Sequence, residues 1–258
     1  MAPSRADAEY RAMTNPAKYM LAGGVVFLPV DDGSARLLDL DGSFYALSAS
    51  GTEMLEGTLV DGVETTIARI AARYEVSAHK VRSDLESLLG KLKDKRLIQD
   101  CGGRDGCRRR SALWPALTIL PALRMLDVLR VKPKIKPTLL LVVARACLAM
   151  FGWARSVAIW QKAIRPAQAA VAQSQQDEII SRVDDSIRRA AARLALSTCK
   201  ERALCAWYIL RSMGIPAALV VGVQLYPLAG HCWCQAGTRI LTDFRDRCET
   251  YLPVVRYE

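Results

Sequence analysis

Three residues near the C-terminus, Cys199, His231 and Asp243, have the types and the spacing to make a nucleophilic catalytic set. A thiolate attacks a carbonyl carbon. An imidazole takes the thiol proton and returns it to the leaving amine, and a carboxylate holds the imidazole in one tautomer. The stretch STCKERALCAWYILRSMG (197–214) predicts a helix capped by Thr198 and stopped at Gly214, with Leu204, Tyr208 and Met213 roughly on one face. Cys199 then falls in the first turn, where the partial positive charge of the helix end favours thiolate. Cys205, six residues on, points elsewhere and reads as core.

The acid-base half lies in GHCWCQAGTRILTDF (230–244), which reads as a strand and hairpin. Alternation places His231, Trp233 and Gln235 on one face and Cys232 and Cys234 on the other. That arrangement lacks metal-ligand spacing, so no metal site is expected. A three-residue loop, 236–238, would pair Gln235 with Arg239 and His231 with Asp243, Cβ atoms about 4.5–5.5 Å apart. A two-residue Gly-Thr turn would shift the register by one and spoil that pairing. The only other histidine, His79, lies far upstream.

The elements that must position these residues fall into three segments. From about 20 to 100, GGVVFLPV, SARLLDL and SFYALS are β-rich runs separated by Asp-Asp-Gly and Asp-Gly, which predicts a three-stranded meander with tight two-residue hairpins. Helices follow: one capped by Ser50 with Glu53 three residues on, one over 64–74, and one from Ser77 with Val81, Leu85, Leu88 and Leu92 as its apolar stripe. That order predicts a winged helix-turn-helix. The Gly- and Arg-rich stretch CGGRDGCRRR opens a linker over 101–112. The region 113–258 then begins with a helical middle (114–129, a KPKIKP connector, and further long amphipathic stretches).

Half of the 258 residues are hydrophobic and about a quarter charged, the profile of a folded chain, and a net charge of +10 favours an anionic partner. The N-terminus has no apolar signal region, so a cytoplasmic location with reduced thiols is the expectation. The apolar run 138–154 is interrupted by Arg145 and closed by Arg155, which argues for a buried or surface-lying helix over a transmembrane segment.

With these residues in view, the chain resembles the B proteins of lasso-peptide biosynthesis, maturation proteases with a transglutaminase-like (papain-related) fold. The resemblance rests on CKERAL (199–204), LRSMGIPAALVVGV (210–223), Gly-His-x-Trp around His231, and Leu-Thr-Asp (241–243) followed by YLPV. It implies a Cys199, His231, Asp243 triad. Family members commonly carry Ala-His-Ala-Trp-Val-Glu where this chain has Gly-His-Cys-Trp-Cys-Gln, a departure that bears on substrate preference more than on activity. The segment DLDGSFYALSASG (39–51) and the helices after it are similar to precursor-recognition domains related to the peptide chaperone of pyrroloquinoline quinone synthesis. That likeness implies a leader peptide added as a strand beside 43–48 and packed on the helix 77–92, with Phe44, Tyr45, Leu47, Val81 and Leu85 as contacts.

The fold class expected is therefore α+β: an N-terminal winged helix-turn-helix peptide-recognition domain (20–100), a linker, and a transglutaminase-like cysteine protease domain (113–258). The resemblance implies a leader peptidase acting on a precursor peptide, with a macrolactam-forming cyclase as further partner and no cofactor for the chemistry; any ATP dependence is left open. Two alternatives stand beside it. A DNA-binding winged-helix regulator is disfavoured by Asp84 and Glu86 at the start of the third helix, so no nucleic acid is expected. Acyl transfer to an amine uses the same triad.

Overall fold

The computed structural model describes residues 19–101, 136–165, 172–194 and 197–258. The chain divides into two compact units, Met1–Ser111 and Ala112–Glu258. The proposed linker beyond Cys101 and the predicted helix over 114–129 lie outside the described residues.

In the first unit β1 (Tyr19–Leu21) pairs antiparallel with β5 (Ile98–Asp100), closing the described part of the unit on itself. Between them β2 (Val25–Pro29), β3 (Ala35–Asp39) and β4 (Ser43–Leu47) form an antiparallel meander in the order β2-β3-β4. Its loops are wider than two residues: Pro29 pairs with Ala35 and Asp39 with Ser43. Asp32 explains the first, because its carboxylate accepts from the Ser34 N–H at 2.9 Å and builds a side-chain turn into the loop.

Three helices follow: α1 (Ala49–Val60), α2 (Val63–Tyr74) and α3 (Ala78–Asp94). The cap of α1 is Ser48, whose hydroxyl accepts from the Gly51 N–H at 3.2 Å; Ser50 sits inside the helix. Glu53, freed from a capping role, instead accepts from Arg73 and Tyr74 of α2 at 3.0 and 2.8 Å. Ser77, read as the start of the third helix, is its cap, and the buried stripe is Val81, Leu85, Leu89 and Leu92, with Leu88 at its margin. These side chains meet Ala35, Leu37 and Leu47 of the sheet and Leu55, Ile67 and Ile70 of the other helices. Each of these leucine, isoleucine and valine side chains removed from water stabilises the unit by roughly 1.5–3 kcal/mol.

The second unit comprises α4 (Lys136–Ala163), α5 (Gln173–Arg193), α6 (Cys199–Ser212), β6 (Ala218–Leu225), β7 (Leu228–Ala236), β8 (Arg239–Leu241), a short α7 (Arg245–Cys248) and β9 (Leu252–Tyr257). Its strands form one antiparallel sheet in the order β8-β7-β6-β9. Helix α6 packs on α4, α5 and β7. It is buried on more than the single face read from Leu204, Tyr208 and Met213: Glu201, Ala203 to Tyr208 and Leu210 are all covered. A helix covered on nearly every side is a core helix, and this one is the spine of the unit.

By length and composition α4 could cross a membrane. Gly152, however, has φ 71° and ψ −179°, a conformation open to glycine that breaks the helix into two. The first piece, 136–151, is about 24 Å long, short of a hydrocarbon core of about 30 Å. Arg145 on that piece is turned to Glu201 of α6, Nε to Oε1 at 3.0 Å.

Candidate active site

Alternation along β7 is as expected. His231 and Trp233 share a face, their rings stacked with centroids 6.1 Å apart, and Cys232 and Cys234 are buried behind them. Burial raises the thiol pKa of both cysteines well above the ordinary value, so they pack as small apolar groups. Cys205 is likewise fully buried with its thiol pushed up by burial. Opposite His231 in the ladder is Gly222, and a side chain there has no room: a Cβ would lie 2.8 Å from both the Trp233 ring and the Tyr251 Cβ.

The hairpin register differs from expectation. Ala236 pairs with Arg239 and Cys234 with Leu241 across a two-residue Gly237-Thr238 turn. Continued, that ladder would place Asp243 opposite Cys232, on the face away from His231. It does not continue. Thr242 takes a left-handed φ of 70°, and the chain leaves the sheet there. The kink returns the Asp243 carboxylate to the imidazole, with Oδ2 2.9 Å from His231 Nε2 in a contact bent off the N–H axis. Both groups are buried, 4 % and 7 % exposed. His231 and Asp243 are thus brought together by a strand end and not by a cross-strand pair.

Two groups on α5 meet this kink. Asp184 Oδ1 accepts from the Thr242 N–H at 2.6 Å, and Arg188 donates to the Asp243 carbonyl oxygen at 2.9 Å. Asp184 Oδ2 and Arg188 Nε are themselves paired at 2.9 Å. The other Asp243 oxygen, Oδ1, accepts from the Phe244 N–H at 2.8 Å, and Arg247 lies 3.5 Å from Oδ2.

The His231 pKa is lowered from its ordinary value, first by burial; the positive charges of Arg247 and Arg202 add to this, and Asp243 opposes it. The ring is therefore neutral near pH 7, and with Nε2 facing Asp243 its Nδ1 is the nitrogen left to take a proton.

Cys199 is the first residue of α6, half-buried, directly after the cap residue Thr198. The Thr198 N–H donates to Glu201 Oε2 at 2.8 Å, the reciprocal arm of a Thr-x-x-Glu capping box, and Arg145 holds the other oxygen of that carboxylate. The sulfur thus sits at a fixed helix N-terminus, where the helix dipole presents partial positive charge. No hydrogen bond joins Cys199 to His231 among the described residues. The elements that carry them pack together, α6 against β7, and Arg202, one turn along α6, adds its charge to the lowering of the His231 pKa, while the Cys248 thiol is pushed up to about 11 chiefly by burial.

Glu201 was missed as a positioning group although Thr198-x-x-Glu201 was readable in the sequence; Asp184 and Arg188 had no such signal. Among the described residues no cluster of three His, Cys, Asp or Glu side chains could hold a metal.

In the first unit, β4 is an edge strand among the described residues, with Phe44 and Tyr45 half-buried on it. Leu47, Val81 and Leu85 are 7 %, 2 % and 0 % exposed. These three side chains therefore build the core and are not presented on an open surface, a correction to their reading as direct contacts. Val81 also walls a cavity of about 170 Å³ with Met54, Ile70, Tyr74 and Val76.

Residues 138–256 match the family model of the transglutaminase-like superfamily, and residues 30–98 that of coenzyme PQQ synthesis protein D (PqqD). No curated protein and no solved structure gives a significant match. Carried in this order on one chain, the two matched domains are those of a PqqD-fused, transglutaminase-like B protein of lasso-peptide biosynthesis.

Proposed function

We propose that this protein is a leader peptidase: its first unit, read as a winged helix-turn-helix, binds the leader of a lasso-peptide precursor, and its second cleaves between leader and core. The observation that carries this reading is the buried His231–Asp243 pair, its histidine on a strand packed against the capped helix that begins at Cys199. Cys199 is the nucleophile. His231 takes its proton through Nδ1 and passes it to the leaving amine, and Asp243 holds the ring and offsets the imidazolium charge that forms. Water then releases the leader from the thioester. A PqqD-type domain on the same chain supports a precursor peptide as substrate, because tethering raises its concentration at the site. The leader adds as a strand along β4, with Phe44 and Tyr45 at the contact. The released core amine would pass to a cyclase partner.

The test is mass spectrometry of a candidate precursor incubated with the full chain in single turnover, with and without a competing amine. Cleaved leader bearing a free carboxylate is expected, falling ~10³-fold or more in Cys199→Ala and unchanged in kind in Cys205→Ala. Leader recovered mainly as an amide would make the enzyme an acyl transferase; cleavage persisting in Cys199→Ala would remove the assignment altogether.

A further inference from the structure

The residue on which the His231–Asp243 contact depends has no business in that conformation. Thr242 is β-branched, and a left-handed φ of 70° costs such a residue of order 1–3 kcal/mol unless its surroundings enforce it. The surroundings that do so belong to α5, 54 to 58 residues earlier in the chain. Asp184 lies one helical turn before Arg188, so the two point to the same side of α5. Asp184 spends one oxygen on the Thr242 N–H, an amide that has left the β8 ladder, and the other on Arg188. Arg188 spends a second nitrogen on the Asp243 carbonyl, and its guanidinium lies over the Phe244 ring at 5.1 Å. Three consecutive residues, Thr242 to Phe244, are thus held by one carboxylate-guanidinium pair.

We infer that Asp184 and Arg188 form a positioning clamp whose work is to hold Thr242 in its left-handed turn and so aim the Asp243 carboxylate at His231 Nε2. Without the clamp the cheapest relaxation is for Thr242 to return to an extended φ. The ladder would then run on, and Asp243 would move towards the face of Cys232, away from the imidazole. Neither residue touches the imidazole or the thiol; they act through Asp243. The idea rests on the triad reading, yet its first consequence concerns the ring alone. A carboxylate at Nε2 fixes the proton there and leaves Nδ1 bare. With the carboxylate gone, the neutral imidazole divides between its two tautomers.

The chain has two histidines, and His79 is exposed in the other unit, so each ring can be followed separately. The experiment is ¹⁵N spectroscopy of histidine-labelled full-length protein at pH 8, where the His231 ring is neutral, for wild type, Asp184→Ala, Asp184→Asn, Arg188→Lys and Asp184→Ala/Thr242→Gly. In wild type the proton resides on Nε2 of His231. In Asp184→Ala the His231 nitrogens move towards the averaged values of a tautomer mixture, while His79 does not change. Single-turnover cleavage falls about tenfold to a hundredfold, as expected for a misplaced catalytic group, with KM nearly unmoved. Adding Thr242→Gly restores part of both, because glycine takes the left-handed turn unaided. Asp184→Asn, which keeps an oxygen for the Thr242 N–H, lies between.

A wild-type tautomer in Asp184→Ala with the fold intact by circular dichroism overturns the clamp. So does failure of Thr242→Gly to recover any of the loss. If Asp184→Ala does not fold, Asp184→Asn and Arg188→Lys decide by the same measurement, and a wild-type ring in both overturns it. Should Cys199→Ala still cleave, the protease reading fails while the tautomer result continues to judge the clamp.

Discussion

A base must be neutral to accept a proton, and the surroundings of His231 keep it so. Burial lowers its pKa from 6.5, and Arg247 and Arg202 push the same way against Asp243. The acid limb of kcat/KM is therefore expected below pH 6.5, the ordinary imidazole value. Replacing Arg247 with Gln removes one of the lowering charges, so the limb should move to higher pH. A limb that stays put or moves down in Arg247→Gln would show that this arginine does not act on the ring. The sign for stability is the same as for activity. A histidine with a depressed folded pKa contributes stability above its unfolded value, and that contribution is lost as pH falls through the folded one, so the second unit should melt earlier in mild acid.

At the scale of elements, the site depends on how closely β6 and β7 approach. Gly222 faces His231 across the ladder and lies under the Trp233 ring, with the Tyr251 ring 5.0 Å from the imidazole centroid. Gly222→Ala drives a methyl to within 2.8 Å of the buried Trp233 ring and of the Tyr251 Cβ. It should cost about 1–3 kcal/mol of stability and displace the imidazole with its neighbours. Thermal unfolding read together with single-turnover cleavage checks it; a fully active Gly222→Ala of unchanged melting temperature would contradict this packing.

The sequence yielded much of this level and for identifiable reasons. The α1–α3 series showed through helical period and the meander through alternating β-formers. The β1–β5 pair did not, because three-residue strands carry no period and Tyr19 finds Asp100 across most of the unit. Of the two hairpin turns the sequence allows, the chain takes the two-residue Gly237-Thr238 turn, whose register by itself separates His231 from Asp243. What repaired it, the kink at Thr242 and its partners on α5, is a long-range hydrogen-bond arrangement with no local signature.

For the molecule as a whole, the division at Ser111 and Ala112 predicts separable duties. A chain cut there should give a first piece that binds the leader about as well as the intact protein. The second piece should cleave slowly alone, having lost the local concentration that attachment supplies. Adding the first piece in trans should return part of the rate. Titrating a labelled leader against each piece is the measurement; leader bound only by the second piece, or duplex DNA bound tightly by the first, would reverse the assignment of duties. The net charge of +10 makes the salt dependence of that titration informative, because an electrostatic component weakens as salt rises.

The left-handed Thr242 also bears on how this protein would respond to selection. One way of making the second unit more heat-resistant is to relieve stored backbone strain, and this turn is a place where it is stored. A search for thermostable variants should therefore find substitutions at 242, glycine and asparagine first, and keep them only where α5 still holds the loop. Variants that gain heat resistance by letting the strand run straight would be sturdy and inactive. Screening on melting temperature alone would enrich them.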